Sequence, residues 1–394
     1  MATAIDTQAG KLFHEGGSDA AHAVTTGILP DRDIARLIDG GRISAEGGVD
    51  SSQIQPASLD LRLGATAWRV RASFLPGKAS TVQAKIDRLQ MHKIDLSKPT
   101  VLEKGCVYIA ELMEELKLPA DIAGAANPKS STGRLDIFTR LITDAGAEFE
   151  GVAAGYKGKL YVEIMPHTFS VLAQQGTRLN QIRFVRGNPP PSDTKLTELD
   201  QTLKLVYSDT DGPQPAMIKD GLWVSVDLEG ETSNGVIGYR AKHHAPLIDL
   251  SKINHYDPLD FWEPIHRSAD RSLVLNPDDF YILVSRERVR IPNSFAASMV
   301  PYDPSVGEFR IHYAGFFDPG FGYGANNLKG ARAVLEVRSH DVPFLIEHGQ
   351  DVGRLIYERL LGEPEKIYGV NIGSNYQSQG LKLSKQFKPL ELPV

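Results

Sequence analysis

The sequence predicts a mainly β protein built from two tandem copies of one domain, each a distorted, jelly-roll-like β-barrel with a few short helices. Short runs rich in Val, Ile, Leu and Tyr alternate with Gly, Pro, Asn and Asp, as in short strands joined by tight turns. An internal repeat at a constant offset indicates the duplication. A proline-rich segment between the repeats marks a boundary.

The internal repeat aligns the stretch that begins at Val101 with the stretch that begins at Val274. Tyr108 then faces Tyr281, and every other matched pair keeps the same spacing of 173 positions. The other pairs are Pro119 with Pro292, Pro128 with Pro301, Glu163 with Glu336, and Gly176 with Gly349. A constant offset over about seventy residues is the signature of a duplicated unit.

The boundary between the copies is predicted at RGNPPPSDTKL, which starts at Arg186. Three consecutive prolines followed by polar residues favour a linker over a strand or a helix. We therefore predict a first domain with an N-terminal extension over residues 1–187, a linker over 188–220 and a second domain over 221–394. The alternative is a proline-rich surface loop inside one domain.

Four runs are the clearest strand candidates: CVYIAEL from Cys106, KLYVEIM from Lys159, FYILVS from Phe280 and RAVLEVR from Arg332. In the second copy, the Asp318-Pro319-Gly320 turn predicts a β-hairpin whose return strand carries Glu336.

One helix is predicted near the start, in LPDRDIARLIDGGRI. Asp31 is the candidate N-cap, and Ile34, Leu37 and Ile38 lie on one stripe. The Gly40-Gly41 pair ends the pattern, so we expect a short amphipathic helix.

Composition excludes several classes of protein. With 394 residues and 41% hydrophobic content the chain can bury a large core. A net charge of -6 argues against a protein that coats nucleic acid or an anionic membrane. Cys106 is the single cysteine, which excludes an internal disulfide framework and fits a reducing compartment. No signal-peptide core and no run of about 18 apolar residues is present, so we expect a cytoplasmic location.

Two hydroxyls and two cations cluster in the stretch NPKSSTGRLDI, as Lys129, Ser130, Ser131 and Arg134. One interpretation is a solvated loop. The other is a site for a phosphate-bearing ligand, because hydroxyl groups donate to phosphate oxygens and Arg binds two of them in a fork.

Glu336 lies in an apolar strand run between Leu335 and Val337. Alternation places its side chain on the face opposite these two neighbours, where it either points to water or faces a pocket. In a pocket, burial would raise its pKa toward the range useful for proton transfer.

These motifs together resemble those of single-copy dCTP deaminases, which are relatives of trimeric dUTPases. The matching segments, in the family's order, are DRDIARLIDGGRI from Asp31, QPASLDLRLG from Gln55, KSSTGR from Lys129, AGFFDPGFGYG…LE from Ala314 and YQSQGLKLSK from Tyr376. The resemblance implies dUTPase-like domains and zinc-free deamination of a cytosine nucleotide at C4, by a water that a glutamate deprotonates. The residues agree on zinc, since one cysteine cannot build the P-C-x-x-C motif of zinc deaminases.

Neither copy carries the full family pattern. The first copy keeps KSSTGR and Glu163 but lacks the DPGF turn, whereas the second keeps the hairpin and Glu336. In the family, each site is assembled from neighbouring subunits. The resemblance therefore implies a composite site, with the serine turn from copy one and the glutamate from copy two. The positions of copy two that face Ser130, Ser131 and Arg134 are Asp303, Pro304 and Gly307.

The resemblance also implies roles. Glu336 would be the general base and then the proton donor to ammonia, with Ser130 and Arg134 orienting it and the water, and Glu163 as the rival base. Mg²⁺ would accompany the nucleotide, held mainly by its phosphates. The implied substrate-binding residues are Lys129 and Ser131 for phosphate, Ala314 for the cytosine edge, Asp318, and an arm with Tyr376, Gln377 and Gln379, either glutamine of which could close over the base.

The expected reaction is dCTP to dUTP and ammonia, which supplies deoxyuridine nucleotides for thymidylate synthesis. The alternatives are a dUTPase-type pyrophosphatase in which Asp318 activates water, an enzyme with both activities, and a non-catalytic nucleotide-binding regulator. The expected partner is dCTP or a related deoxynucleotide, with no nucleic acid polymer and no membrane. A homo-oligomer with sites at domain interfaces is expected; three chains are the smallest symmetric set that completes three-domain rings, and a chain whose copies pair with each other would be smaller.

Overall fold

The computed structural model describes residues 25–189, 192–208, 212–230, 235–301, 309–311, 315–323, 329–339, 341–369 and 380–390. Strands dominate these residues, which confirms the mainly β class predicted from the sequence. No helix in this described part of the chain is long and apolar enough to cross a membrane. The predicted site residues Ala314, Tyr376, Gln377 and Gln379 lie outside the described residues.

The first half contains three helices and twelve strands within residues 25–189. The helices are α1 (Asp31–Asp39), α2 (Val82–Leu89) and α3 (Ser130–Gly133), and a 3₁₀ turn spans Ser51–Gln53. The strands are β1 (Gly27–Ile28), β2 (Ile43–Ala45), β3 (Leu59–Val70), β4 (Gln90–Asp95), β5 (Thr100–Leu102), β6 (Val107–Lys117), β7 (Ile122–Pro128), β8 (Ile137–Thr143), β9 (Gly151–Val152), β10 (Lys157–Pro166), β11 (Val171–Ala173) and β12 (Arg178–Arg186).

The second half follows the same plan in its described residues. Its helices are α4 (Asp193–Leu203) and α5 (Pro258–Phe261). Its strands are β13 (Val206–Tyr207), β14 (Pro213–Gln214), β15 (Leu222–Ser225), β16 (Val236–Ala241), β17 (Ile248–Asp249), β18 (Trp262–His266), β19 (Ser272–Leu275), β20 (Phe280–Val289), β21 (Phe295–Pro301), β22 (Phe309–Ile311), β23 (Phe316–Phe317), β24 (Ala331–Ser339), β25 (Phe344–Glu347) and β26 (Asp351–Arg359).

The strands of the first half form a nearly closed, barrel-like sheet in the order β8-β10-β6-β3-β12-β7-β9, to which β1, β2 and β4 add. The second half has a seven-stranded sheet, β14-β13-β20-β16-β18 with β22 and β24, and a four-stranded sheet, β15-β26-β21-β23. The four predicted strand runs are found as β6, β10, β20 and β24. Their alternating apolar residues bury one face, which favours a strand wherever the chain can pair.

The internal repeat recurs in the hydrogen-bond register. Asn180 pairs with Pro128 between β12 and β7, and Gly353 pairs with Pro301 between β26 and β21, 173 positions later in both strands. A slip of one residue would turn every buried side chain outward, so equal apolar patterns select equal registers. The proposed domain limits at residues 187 and 221 stay a prediction.

Helix α1 is found where the sequence predicts it, but Asp31 is its first residue and not its N-cap. Pro30 occupies the cap position, without a side-chain cap hydrogen bond. The Asp31 carboxylate instead accepts hydrogen bonds from the main-chain nitrogens of Glu365 at 2.9 Å and Lys366 at 2.8 Å. The acid therefore joins the start of the first half to the end of the second.

The predicted hairpin around Asp318 is found in a wider form than the turn alone indicates, because β22 before the turn pairs antiparallel with β24, the strand after it that carries Glu336. The turn itself is present, with Phe321 N donating to Asp318 O at 3.1 Å. However, β23 before the turn pairs with β21, whereas β24 after it pairs with β20 and β22. The turn thus joins strands of two different sheets, and a local turn signal could not reveal the distant partners.

The described residues of the predicted linker, 188–189, 192–208 and 212–220, include regular structure. Helix α4 begins in it, with the Ser192 hydroxyl accepting from Lys195 N at 3.4 Å as an N-cap. Leu196 packs into the core of the second half, and β13 pairs with β20. The capping serine and this apolar contact overcome the local linker composition.

One buried cluster spans the two halves, in addition to the separate core of the second half. The largest buried cluster contains Leu59 and Leu112 of the first half together with Trp262 and Phe280 of the second. In addition, β17 pairs in parallel with β11 through Ile248. The boundary where residues 25–189 pack against the second half is here called the seam, and the candidate site residues meet there.

Candidate active site

The segment Lys129 to Arg134, here called the serine turn, is a single helical turn (α3) that follows β7. Pro128 ends the strand, Gly133 N donates to Lys129 O at 3.0 Å, and Arg134 N donates to Ser130 O at 3.1 Å. The Thr132 hydroxyl donates to Leu179 O at 2.8 Å, which anchors the turn to β12. The turn is therefore rigidly placed by the barrel of the first half.

Glu336 lies directly against this turn, within the same chain. It is 5% exposed on β24, where it pairs with Ile282 of β20. A Cβ built on Gly133 would lie 2.7 Å from the Glu336 carboxyl carbon. A side chain at position 133 would therefore displace the carboxylate, and glycine permits the contact. The structure thus brings the turn of the first half to the glutamate of the second.

The electrostatic setting of Glu336 suits proton transfer. Burial raises its pKa well above the usual value, Arg134 acts to lower that pKa, and Asp136 acts to raise it. A carboxyl with an elevated pKa can accept a proton from water and return it near neutral pH.

The described end of the chain closes on the serine turn. The Ser384 hydroxyl donates to Ser131 O at 2.8 Å, and Arg134 Nη1 donates to Lys382 O at 3.0 Å. The Gln386 amide donates to Leu250 O at 3.2 Å. The resemblance predicts contacts from the arm at residues 376–379 but not from these later residues, although the segment YQSQGLKLSK runs to Lys385.

A cavity of about 420 Å³ opens beside the turn, with Ser131, Arg178, Lys385 and Gln386 in its lining. Lys129 pairs with Asp60, and Arg178 Nη1 lies 3.7 Å from the same carboxylate. Burial, together with the charges of Lys129 and Arg178, lowers the pKa of Lys385. Cations and hydroxyl groups in one cavity fit an anionic ligand.

Asp318 lies at the seam and is bound by an arginine of the first half. Arg183 of β12, 1% exposed, donates from Nη2 to Asp318 Oδ1 at 3.4 Å and to Phe317 O at 2.8 Å. Its Nη1 donates to Ala297 O at 2.8 Å, and its guanidinium stacks 4.0 Å from the Phe316 ring. Burial raises the pKa of Asp318, and Arg183 opposes that rise. Arg183 was missed because nothing local distinguishes it from Arg178 and Arg186 of the same strand.

Glu163, the rival base, has a different environment. Its Oε1 accepts from Arg140 Nη2 at 2.6 Å and from Nε at 3.0 Å, and it is 2% exposed. Arg140 also stacks 3.5 Å from the Phe149 ring. Nearby, burial raises the pKa of Glu150 to about 8. Glu163, the residue of the first half that corresponds to Glu336, is thus held in an ion pair with Arg140.

The structure therefore collects Lys129, Ser130, Ser131, Arg134, Asp318 and Glu336 around the seam and leaves Glu163 in a separate ion pair. The roles assigned to these residues stay predictions.

Two family models match the chain. The N-terminal domain of 2'-deoxycytidine 5'-triphosphate deaminase matches residues 25–188, and the C-terminal domain matches residues 192–387. A crystal structure of the 2'-deoxycytidine 5'-triphosphate deaminase of Agrobacterium tumefaciens is 53% identical, with a TM-score of 0.81, over 86% of this chain and 100% of that one.

Shorter relatives match less than half of this chain. The "dCTP deaminase, dUMP-forming" of Methanosphaera stadtmanae is 31% identical over 49% of this chain and 94% of its own length. The "dCTP deaminase" of Shewanella amazonensis is 30% identical over 42% of this chain and 86% of its own. The fold, the seam and these matches point to one family.

Proposed function

Because this chain belongs to the 2'-deoxycytidine 5'-triphosphate deaminase family, whose two domain models cover it from residue 25 to residue 387, we propose that it converts dCTP and water to dUTP and ammonia. Family membership makes it an enzyme that acts on a C–N bond. The observation that carries the proposed mechanism is the buried Glu336 carboxylate packed on Gly133 of the serine turn.

The proposed reaction begins with a water between Glu336 and C4 of the cytosine. Glu336 accepts a proton as the water oxygen attacks C4, and that proton goes to N3. The hydroxyl proton then passes through Glu336 to the amino group, the C4–N bond breaks, and ammonia leaves as the C4 carbonyl forms. Ser130 and Arg134 orient the water and the carboxylate.

Two effects would accelerate the reaction in this site. A positioned base contributes roughly 10²- to 10⁴-fold, and oriented donors at the developing charge add a comparable factor. The elevated pKa of Glu336 supports both proton steps, since the group must take up and release a proton at one pH.

The triphosphate is proposed to bind in the cavity beside Ser131, where Arg178 and Lys385 in the lining supply positive charge. Lys129, paired with Asp60, lies close by. Mg²⁺ fits this arrangement as a companion of the phosphates, because it keeps waters and substrate oxygens as ligands. Within the described ranges no cluster of three or more His, Cys, Asp or Glu residues could hold a metal ion. The metal would neutralise phosphate charge, while the residues above position the base and the water.

A second candidate function is deamination followed by loss of pyrophosphate. Several relatives are named dUMP-forming, which supports it. In this chain, Asp318 would activate water against the α-phosphate. Its contacts with Arg183 and its proximity to Lys129 place a carboxylate beside cations at the seam.

Product analysis tests these proposals. The protein is incubated with dCTP and Mg²⁺, and ammonia and pyrophosphate are assayed separately. We expect one ammonia per dUTP and no pyrophosphate, with a loss of about 10²- to 10⁴-fold in kcat for Glu336→Gln. Glu163→Gln is the matched control and should retain kcat within a few-fold.

Pyrophosphate in equal amount to ammonia would instead establish the second candidate. Full activity of Glu336→Gln, or its loss in Glu163→Gln, would overturn the assignment of the base. A protein that binds dCTP but releases no ammonia would be a regulator.

A further inference from the structure

An ion pair crosses the seam next to Glu336. Arg338 follows Glu336 by two residues on β24, so both side chains leave the same face of the strand. The Arg338 guanidinium donates to the Asp136 carboxylate from Nη2 at 2.5 Å and from Nε at 3.1 Å. Asp136 in turn follows Arg134 by two residues. Two pairs of opposite charge therefore lie side by side at the seam. Arg134 of the first half acts on Glu336 of the second, and Asp136 of the first half pairs with Arg338 of the second.

Asp136 is bound tightly on its own side. Its side chain is fully buried, its hydroxyl partner Thr168 donates to Oδ2 at 2.5 Å, and its main-chain N donates to Gly133 O at 2.8 Å. Arg338 Nη2 also donates to the Thr168 hydroxyl at 3.0 Å. Asp136 has φ +54°, a left-handed conformation that non-glycine residues seldom adopt. The network therefore links Arg338 directly to the turn that Glu336 contacts.

The charged groups that change the pKa of Glu336, among the residues that the structure describes, are Arg134 and Asp136. Arg134 favours the ionised carboxylate, and Asp136 disfavours it. From the neighbouring strand β20, the apolar Ile282 pairs with Glu336. The nearest ionisable groups at that end of β20 are Tyr281 and, just before the strand, Asp279, to which the Tyr281 hydroxyl donates at 3.2 Å.

We propose that Arg338 is a positioning residue of the deamination site, which neutralises Asp136, fixes β24 against the serine turn and thereby sets the location and charge of Glu336. Its kinetic consequence rests on the proposed function. Its electrostatic consequence concerns the protein without substrate and can be measured independently.

Three variants test the electrostatic part: Arg338→Gln, Asp136→Asn and the double variant. The protein is labelled with ¹³C at the glutamate carboxyl, and Glu336→Gln assigns the Glu336 signal. Arg338→Gln leaves Asp136 uncompensated and should move the Glu336 titration midpoint upward by about one pH unit. Asp136→Asn leaves Arg338 uncompensated and should move it downward, and the double variant should return it near wild type.

The kinetic part uses the acidic limb of kcat/KM for ammonia release. The limb should follow the NMR midpoints, upward for Arg338→Gln and downward for Asp136→Asn, with Arg338→Lys close to wild type because it keeps the charge. A role in stability alone would lower the melting temperature of both single variants without moving their limbs in opposite directions, and that result would overturn the proposal.

The outcomes remain distinct from those for the proposed function. If the wild type releases no ammonia from dCTP, the function fails while the NMR titration still decides the role of Arg338. If Arg338→Gln does not fold, Asp136→Asn compared with the double variant decides it, since the proposal requires their midpoints to differ. Equal midpoints in that pair would overturn it.

Discussion

At the scale of single residues, the absence of a side chain at position 133 is as important as the charges around it. Gly133 lets the Glu336 carboxylate approach the main chain of the turn, although the two residues belong to different halves. Sequence repeats cannot show such a contact, because it depends on how the halves pack.

Gly133→Ala should therefore impair the site with little effect on folding. Its Cβ would lie 2.7 Å from the Glu336 carboxyl carbon, so the carboxylate must move. A misplacement of about 1 Å can reduce kcat/KM by roughly 10²-fold. Steady-state ammonia release, with the melting temperature recorded alongside, measures this.

The matched control is Gly40→Ala at the end of α1. The atom nearest to its Cβ would be the Arg36 carbonyl oxygen at 3.1 Å, far from the candidate site, so kcat/KM should be unchanged. Wild-type activity in Gly133→Ala would show that the carboxylate does not work from this position.

At the scale of elements, strand β12 of the first half holds the Asp318 turn of the second. The guanidinium of Arg183 donates hydrogen bonds to the main-chain oxygens of Ala297 and Phe317 and to the Asp318 carboxylate. No local pattern in the sequence indicates the partners that this buried arginine reaches in the second half.

Arg183→Met should destabilise the protein by about 3–5 kcal/mol, because it leaves Asp318 buried without its arginine partner. Urea unfolding measures the change in the free energy of unfolding. Arg186→Met on the same strand is the control. Its exposed ion pair with Asp121 should contribute no more than about 1 kcal/mol. Equal effects in the two variants would contradict this role of Arg183.

At the scale of the whole molecule, the two halves of one chain both contribute residues to the candidate site. The serine turn, Glu336 and the closing segment at Lys382 and Ser384 contact one another within one chain. The buried cluster that spans the two halves and the pairing of β17 with β11 keep these parts in register. The predicted homo-oligomer is not needed to bring these groups together.

Subunit mixing tests this directly. Arg134→Met and Glu336→Gln are each expected to be inactive, and coexpression of the two should leave ammonia release at the level of the single variants. Coexpression of wild type with Glu336→Gln is the control and should give activity in proportion to the wild-type fraction. Substantial recovery in the first mixture would show that the two groups act across chains.

The sequence by itself determined the mainly β class, the strands β6, β10, β20 and β24, the repeat and the serine turn. These features follow from alternation and turn chemistry, which act over a few residues. Tertiary structure decided that Asp31 begins α1 and is not its N-cap, that β23 and β24 belong to different sheets, and that Glu336 and not Glu163 meets the turn. It also decided the contacts of Arg134 with Lys382 and of Asp136 with Arg338, which span 248 and 202 residues. Contacts over such separations depend on the packing of the two halves, for which no local pattern carries a signal.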